Sequence, residues 1–225
     1  MRRVSIDTLD EQVYPDTIGS HDICAVEGDT MAYIDYGETD CDSIVEIDKT
    51  GTTKEVFEGE VVRNPEDTGC HGNAVRYSKK EDAYVYSDHR NDVFVVARDG
   101  AVKWRLSERV SGGNAAWGGF QHGIQLLDES MLIFANGGTG DMDSHALEYG
   151  LDGSLRKSFA SSRQSNFYGD VQRLPNENTL INYANGLIQM VDANDAVVLE
   201  MRATTFFGYM EFRQSLYGLP LDIQQ

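Results

Sequence analysis

At 225 residues with 40% hydrophobic side chains, the chain is long enough to bury a substantial core, which excludes a disordered chain. Nineteen basic residues against 37 acidic ones give a net charge of −18. That field repels phosphate backbones and anionic bilayers and favours solubility, so nucleic acid and membrane surfaces are excluded as partners. In chain order, Arg2 and Arg3 open the sequence with no apolar run behind them, so no signal peptide is expected in the chain as it stands. No later stretch reaches the roughly 18 apolar residues of a membrane span. Val4 to Tyr14 reads as one further strand or as part of a blade that closes a ring.

Beyond it the same pattern is written four times, in units that start at His21, His71, His122 and Gly169. In the second unit the expected strands are 71–77, 83–87, 92–97 and 101–106. In the fourth they are 170–174, 179–183, 187–191 and 196–201. Alternation with β-branched and aromatic residues is clear in Tyr84-Val85-Tyr86 and Val93-Phe94-Val95-Val96, and no segment sustains a helical period. Twenty-two glycines suit tight turns between short strands. A period near 50 residues with four antiparallel strands per unit describes an all-β propeller forming one domain over 1–225, with four visible blades and a partial one. Whether the ring is small and closed or part of a larger one stays open.

Cys24, Cys41 and Cys70 have no CxxC spacing, which gives no support to a zinc site or redox motif. Three buried thiols are expected, with a Cys24–Cys41 disulfide as the alternative. Asp141-Met142-Asp143-Ser144 lacks the ligand spacing of a calcium loop and reads as solvated, so no metal and no cofactor are expected. Gly112-Gly113 and Gly118-Gly119 precede no helix and read as links between blades.

The first strand of each blade runs beside the propeller's channel and feeds loops around its mouth. His71 and His122 hold equivalent positions in successive blades, so both are expected at one end of the channel, with His21 as a third imidazole. The competing reading is structural, each histidine bonding a neighbouring blade's backbone. Arg90, after the second strand of its blade, and Arg173, in the last opening strand, are candidate cations for an anionic ligand. Asn73 and Gln121 are the polar candidates beside the two histidines. His89 and His145 are expected in exposed loops, and Trp104 and Trp117 in packing.

Four segments resemble the bacterial, PAPS-independent arylsulfotransferases: His71-Gly72-Asn73-Ala74-Val75 with Ser87-Asp88-His89-Arg90; Gln121-His122-Gly123-Ile124 with Leu132-Ile133-Phe134-Ala135-Asn136-Gly137; Gly169-Asp170-Val171-Gln172-Arg173-Leu174; and Phe207-Gly208-Tyr209 running toward Ser215-Leu216-Tyr217-Gly218. The resemblance spans about residues 20–220. It implies a six-bladed propeller, an extracytoplasmic location, and transfer of a sulfuryl group from a phenolic sulfate to a phenol through a sulfated histidine, without a nucleotide donor. Catalysis is then expected from His122 and His71, with His21, Asn73, Arg90, Gln121 and Arg173 on the substrate. The chain departs from the family pattern in being shorter and in having no histidine after His145. It places Gln189 where a late-blade imidazole is expected, and His145 where an arginine is expected after Ser144. Either His122 or His71 has taken the late histidine's role, or the protein is a binding propeller without turnover.

Overall fold

The computed structural model describes residues 2–4, 11–14, 19–36, 41–63, 70–89, 92–117, 119–137, 143–160, 165, 167–205, 208 and 210. A short antiparallel pair, β1 (Arg2–Val4) and β2 (Glu11–Val13), is followed by four four-stranded antiparallel sheets. Blade 1 is β3 (Gly19–Ala25), β4 (Met31–Asp35), β5 (Ser43–Ile47) and β6 (Thr53–Glu58). Blade 2 is β7 (Gly72–Ser78), β8 (Ala83–Asp88), β9 (Val93–Ala97) and β10 (Val102–Arg105). Blade 3 is β11 (Gln121–Leu126), β12 (Ser130–Ala135), β13 (His145–Gly150) and β14 (Leu155–Ala160). Blade 4 is β15 (Asp170–Arg173), β16 (Thr179–Asn182), β17 (Leu187–Val191) and β18 (Val197–Arg202). In each sheet the strands pair in chain order, and the opening strands pack on one another in succession, β3 on β7, β7 on β11 and β11 on β15. This is the arrangement of a β-propeller.

Alternation explains why the blades stack. On β8 and β9, Tyr84, Tyr86, Phe94 and Val96 face blade 1, where they meet Ala32, Ile34, Ile44 and Phe57. The intervening Ala83, Val85, Val93 and Val95 face blade 3 and meet Ile124, Met131, Ile133 and Tyr149. On β12 the sides divide again, Leu132 and Phe134 packing on Val171, Ile181 and Tyr183 of blade 4. A strand with two buried faces places every side chain in a core, at roughly 1.5–3 kcal/mol for each large apolar group. That spacing fixes the opening strands beside one another, and with them the side chains they carry.

Glycine permits the closest of these approaches. A Cβ on Gly123 would strike Asp170 of the next blade, and the Gly123 N–H donates to the Gly169 carbonyl at 3.2 Å.

Three expectations are corrected here. Val4 to Tyr14, expected as one strand or as part of a further blade, is not one strand: it takes in the last residue of β1 and the whole of β2, which pair with each other, and Tyr14 packs on Tyr33, Val45 and Ile47 of blade 1. The disulfide joins Cys41 to Cys70, whose Cα atoms are 4.5 Å apart, and Cys24 is the buried free thiol. The register explains the choice: Cys24 lies opposite Ala32 with its side chain in the core between blades 1 and 2. Cys41 and Cys70 instead precede strands of adjacent blades. Burial pushes the Cys24 thiol up to about 12, so it is an unreactive core residue. His145 opens β13 opposite Ala135 and Ala160 and is not in a loop.

Candidate functional site

The opening strands bring the histidines together. The rings of His21 and His71 lie 4.5 Å apart, those of His71 and His89 5.6 Å, and those of His89 and His122 5.3 Å. Three blades thus contribute to one row of imidazoles. His89, expected in an exposed loop, joins the His71 ring of its own blade to the His122 ring of blade 3. Its N–H donates to the His71 carbonyl at 2.7 Å, and Asp88 before it accepts the His71 N–H through both carboxylate oxygens at 3.3 Å. The sequence signal was there to find: β8 pairs with the channel strand β7, so a residue just past its end must lie beside the start of that strand.

His122 is 6% exposed. Its Nδ1 lies 2.6 Å from Asn136 Oδ1, while Asn136 Nδ2 donates to the carbonyls of Ser165 and Tyr168, both at 2.8 Å. With both amide protons committed to carbonyls, the Asn136 oxygen must face the imidazole, so Nδ1 carries the ring proton and Nε2 the lone pair; the tautomer is assigned from this network. Burial lowers the His122 pKa to about 4 against the opposing bonds from Asn136 and the Phe120 carbonyl. The ring is therefore a neutral imidazole at neutral pH. Burial also lowers His21, which the adjacent Asp22 only partly offsets, and among the described residues its buried Nε2 has no hydrogen-bond partner. Asn136 was not singled out from sequence, because its value comes from register across a blade.

Other candidates serve the frame. Asn73 Nδ2 donates to the Gln121 carbonyl at 2.8 Å. Gln121 Nε2 donates to the carbonyls of Asp88 at 2.6 Å and Asp92 at 3.2 Å, while its oxygen accepts from the Trp117 indole at 3.1 Å. These bonds tie blade 2 to blade 3 directly behind His89 and His122. Arg173 is not brought to the imidazoles. It closes β15 at the end away from Asp170, with Nη2 2.6 Å from Glu148 Oε2 and Nε 3.0 Å from Thr179 Oγ1. Arg90 lies outside the described residues. Gln189 sits on β17, the third strand of its blade, bonded to Glu200 at 2.8 Å, so it does not occupy a channel position.

A second polar cluster shares the opening strands. Asp22 on β3 accepts the Val75 N–H at 2.9 Å and pairs with Arg76 on β7. Burial opposes the Arg76 charge, and the fields of Asp22 and of Asp170 on β15 outweigh it. Asp170 is raised to about 6 by burial, despite Arg76 and the N–H groups of Met210 and Val171. Asp42, beside the disulfide, is likewise raised to about 6 by burial and accepts the Gly72 N–H at 2.7 Å. Among the described residues no group of three or more histidine, cysteine, aspartate or glutamate side chains is arranged to hold a metal ion.

Residues 42–204, most of the chain, match the family model described as arylsulfotransferase (ASST). The chain belongs to the arylsulfotransferase family. Comparison with curated proteins gives no match. Among solved structures, this arylsulfotransferase-family chain is similar to TolB from Acinetobacter baumannii, with 13% identity and a TM-score of 0.64, covering 90% of this chain and 48% of TolB. It is similar to a protein of unknown function from Bacteroides caccae, with 14% identity and a TM-score of 0.56, covering 89% of this chain and 68% of that one. A computationally designed protein, Ika8, gives 12% identity and a TM-score of 0.52, over 86% of this chain and 52% of the design. At such identities the likeness is one of fold alone. The chain spans about half the length of TolB and of Ika8.

Proposed function

We propose that the protein transfers a sulfuryl group between phenols, with His122 as the nucleophile. One observation carries the reading: a buried, neutral imidazole whose proton is pinned on Nδ1 by Asn136, with the Nε2 lone pair left for attack. In the first half-reaction His122 Nε2 attacks the sulfur of an aryl sulfate. The N–S bond forms as the S–O bond to the aryl oxygen breaks, and the phenolate leaves with a proton from His71. The sulfated ring carries positive charge, which the Asn136 oxygen on Nδ1–H stabilises. In the second half-reaction a phenol oxygen attacks the same sulfur, the N–S bond breaks, and the acceptor's proton returns to His71. The donor loses one sulfuryl group and the acceptor gains it, with no nucleotide and no redox change.

His89 stands between the two rings of this pair and His21 stands beside His71, and both suit the sulfuryl oxygens as hydrogen-bond donors. Arg90 keeps its sequence-based assignment to the same oxygens. The Cys41–Cys70 disulfide is in keeping with an oxidising, extracytoplasmic location.

The test is release of 4-nitrophenol from 4-nitrophenyl sulfate with phenol as acceptor. Wild type is expected to turn over. His122→Ala should abolish transfer, by about 10³-fold or more, and His71→Ala should slow it by about 10²-fold. A folded wild type with no turnover would favour the alternative, a propeller that binds a small anionic or phenolic ligand. Turnover retained in His122→Ala would overturn the assignment of the nucleophile.

A further inference from the structure

Two outermost strands reach the following blade in the same way. Lys54 of β6 donates from Nζ to the Arg98 carbonyl at 3.3 Å, and Lys157 of β14 donates to the Ala193 carbonyl at 3.2 Å. Both carbonyls lie in the turn between the third and fourth strands of the next blade. Gln12 of β2 repeats the contact on blade 1, where its Nε2 donates to the Lys49 carbonyl in the turn between β5 and β6. By position as well, β2 precedes the opening strand β3 as β6 precedes β7. The pair β1–β2 therefore holds the third and fourth places of a blade ahead of blade 1. Among the described residues, no strand fills the first two places.

At the other end, blade 4 treats the chain after it as an opening strand. Asp22 of β3 accepts the Ile23 N–H on Oδ1 and, on Oδ2, the N–H of Val75 in the next opening strand, both at 2.9 Å. Asp170 of β15 accepts the Val171 N–H on Oδ1 at 2.9 Å and the Met210 N–H on Oδ2 at 3.2 Å. Asn136 holds the Tyr168 carbonyl before β15 at 2.8 Å, and Asn182 holds the Gly208 carbonyl at 2.8 Å. Blade 4 also presents a half-built core beside Met210. Leu174, Leu180 and Ile188 are buried there with Met190 and Met210 packed on them. Across from Ile188 and Met190, however, Met201 and Leu199 are 51% and 41% exposed. The corresponding pair in blade 2, Val95 and Trp104, lies in the core shared with blade 3.

We infer that residues 211–225, which lie outside the described residues, cover this face of blade 4 and join β1–β2 in one composite blade that closes a ring of five. Two strands from this segment and two from β1–β2 make four, the number in every other blade. Fifteen residues suffice for two short strands and a turn. Leu219, Leu221 and Ile223 alternate with Pro220 and Asp222, the period of a strand. The segment leaves Met210 at the edge of the apolar face, so it reaches its place without a long connection.

The experiment uses the full chain. In wild type, hydrogen exchange of the amides in 211–223 should be slowed about 100-fold or more relative to an unfolded peptide. Exchange at the peptide rate would overturn the composite blade, whatever any variant does. Leu199→Asp puts a charge on the face of blade 4, and Leu219→Asp with Leu221→Asp puts charges in the segment. Each should lower the Tm by about 10 °C. All three substitutions together should lower it by about 12 °C, well short of the sum, because a displaced segment leaves position 199 in water. Shifts within about 2 °C for either variant, or shifts that add, would overturn the proposal. Both variants should also speed exchange at Arg2–Val4 by about tenfold. Unchanged exchange there would put the two half-blades in different blades and overturn the ring of five. Light scattering should give a monomer at every concentration. A dimer that Leu199→Asp dissociates would assign the face to a second copy and overturn its assignment to 211–225.

Discussion

Two polar clusters share the opening strands of this propeller, and they are built on opposite rules. Around Arg76, charges are matched: Asp22 is bonded to it and Asp170 acts on it across the channel strands. Around His122, charge is removed: burial holds the ring neutral, and one amide oxygen accepts from Nδ1–H and so keeps the ring proton on that nitrogen. The first cluster gains nothing from a visitor, because its polar groups already answer one another. The second carries a lone pair and a buried His21 nitrogen that its described surroundings leave unanswered. Stability is invested in one and, on the proposed function, reactivity is stored in the other.

Breaking the matched cluster should have the largest effect on folding. Asp22→Ala leaves Arg76 without its bonded partner and should lower stability by about 4 kcal/mol, read as a drop in the chemical denaturation midpoint. A loss under 1 kcal/mol would mean that solvent or Asp170 already satisfies Arg76. Next comes the covalent clamp beside the imidazoles. Closing 29 residues, the Cys41–Cys70 bond should contribute about 3.5 kcal/mol through chain entropy, so Cys41→Ser with Cys70→Ser should lower the Tm accordingly.

The neutral cluster should betray itself through pH. The folded pKa of His122, about 4, lies below the unfolded value of 6.5, so the unfolded chain binds the proton more readily. The stability this conveys is complete above pH 6.5 and is lost as pH falls toward 4. Relative to His122→Gln, wild type should therefore lose about 2 kcal/mol between pH 7 and pH 5. Parallel stability curves for the two proteins would show that the ring titrates normally. The smallest effect is expected at Arg173. Arg173→Gln removes the pair with Glu148 and should lower stability by about 1–2 kcal/mol while leaving nitrophenol release within about twofold of wild type. A large fall in turnover would restore Arg173 to the substrate.

How much of this was legible in the sequence depended on the range of the signal. A strand buried on both faces writes its period locally, so Tyr84-Val85-Tyr86 and Val93-Phe94-Val95-Val96 announced the blades, and the recurrence of His21, His71 and His122 announced the channel end. Contacts made across a blade write nothing local. His89 enters the row only because β8 runs back alongside β7, and Asn136 meets His122 only because β12 returns along β11. Cys41 and Cys70 could not be matched by spacing for the same reason. Gln189 misled because the segment was aligned by motif, whereas its strand is the third of its blade.

Repetition by duplication copies a position as readily as a fold, and the fourth unit is where the copying stops. Its counterpart of His122 is Gly169, whose backbone has φ 109° and whose missing Cβ would collide with the Phe134 ring. No imidazole, nor any other side chain, could be installed there without dismantling the packing between blades 3 and 4. The row of bases is consequently lopsided, ending at the third blade where exact repetition would have continued it. That asymmetry gives the mouth a direction, with bases on one flank and the exposed Tyr168 ring on the other.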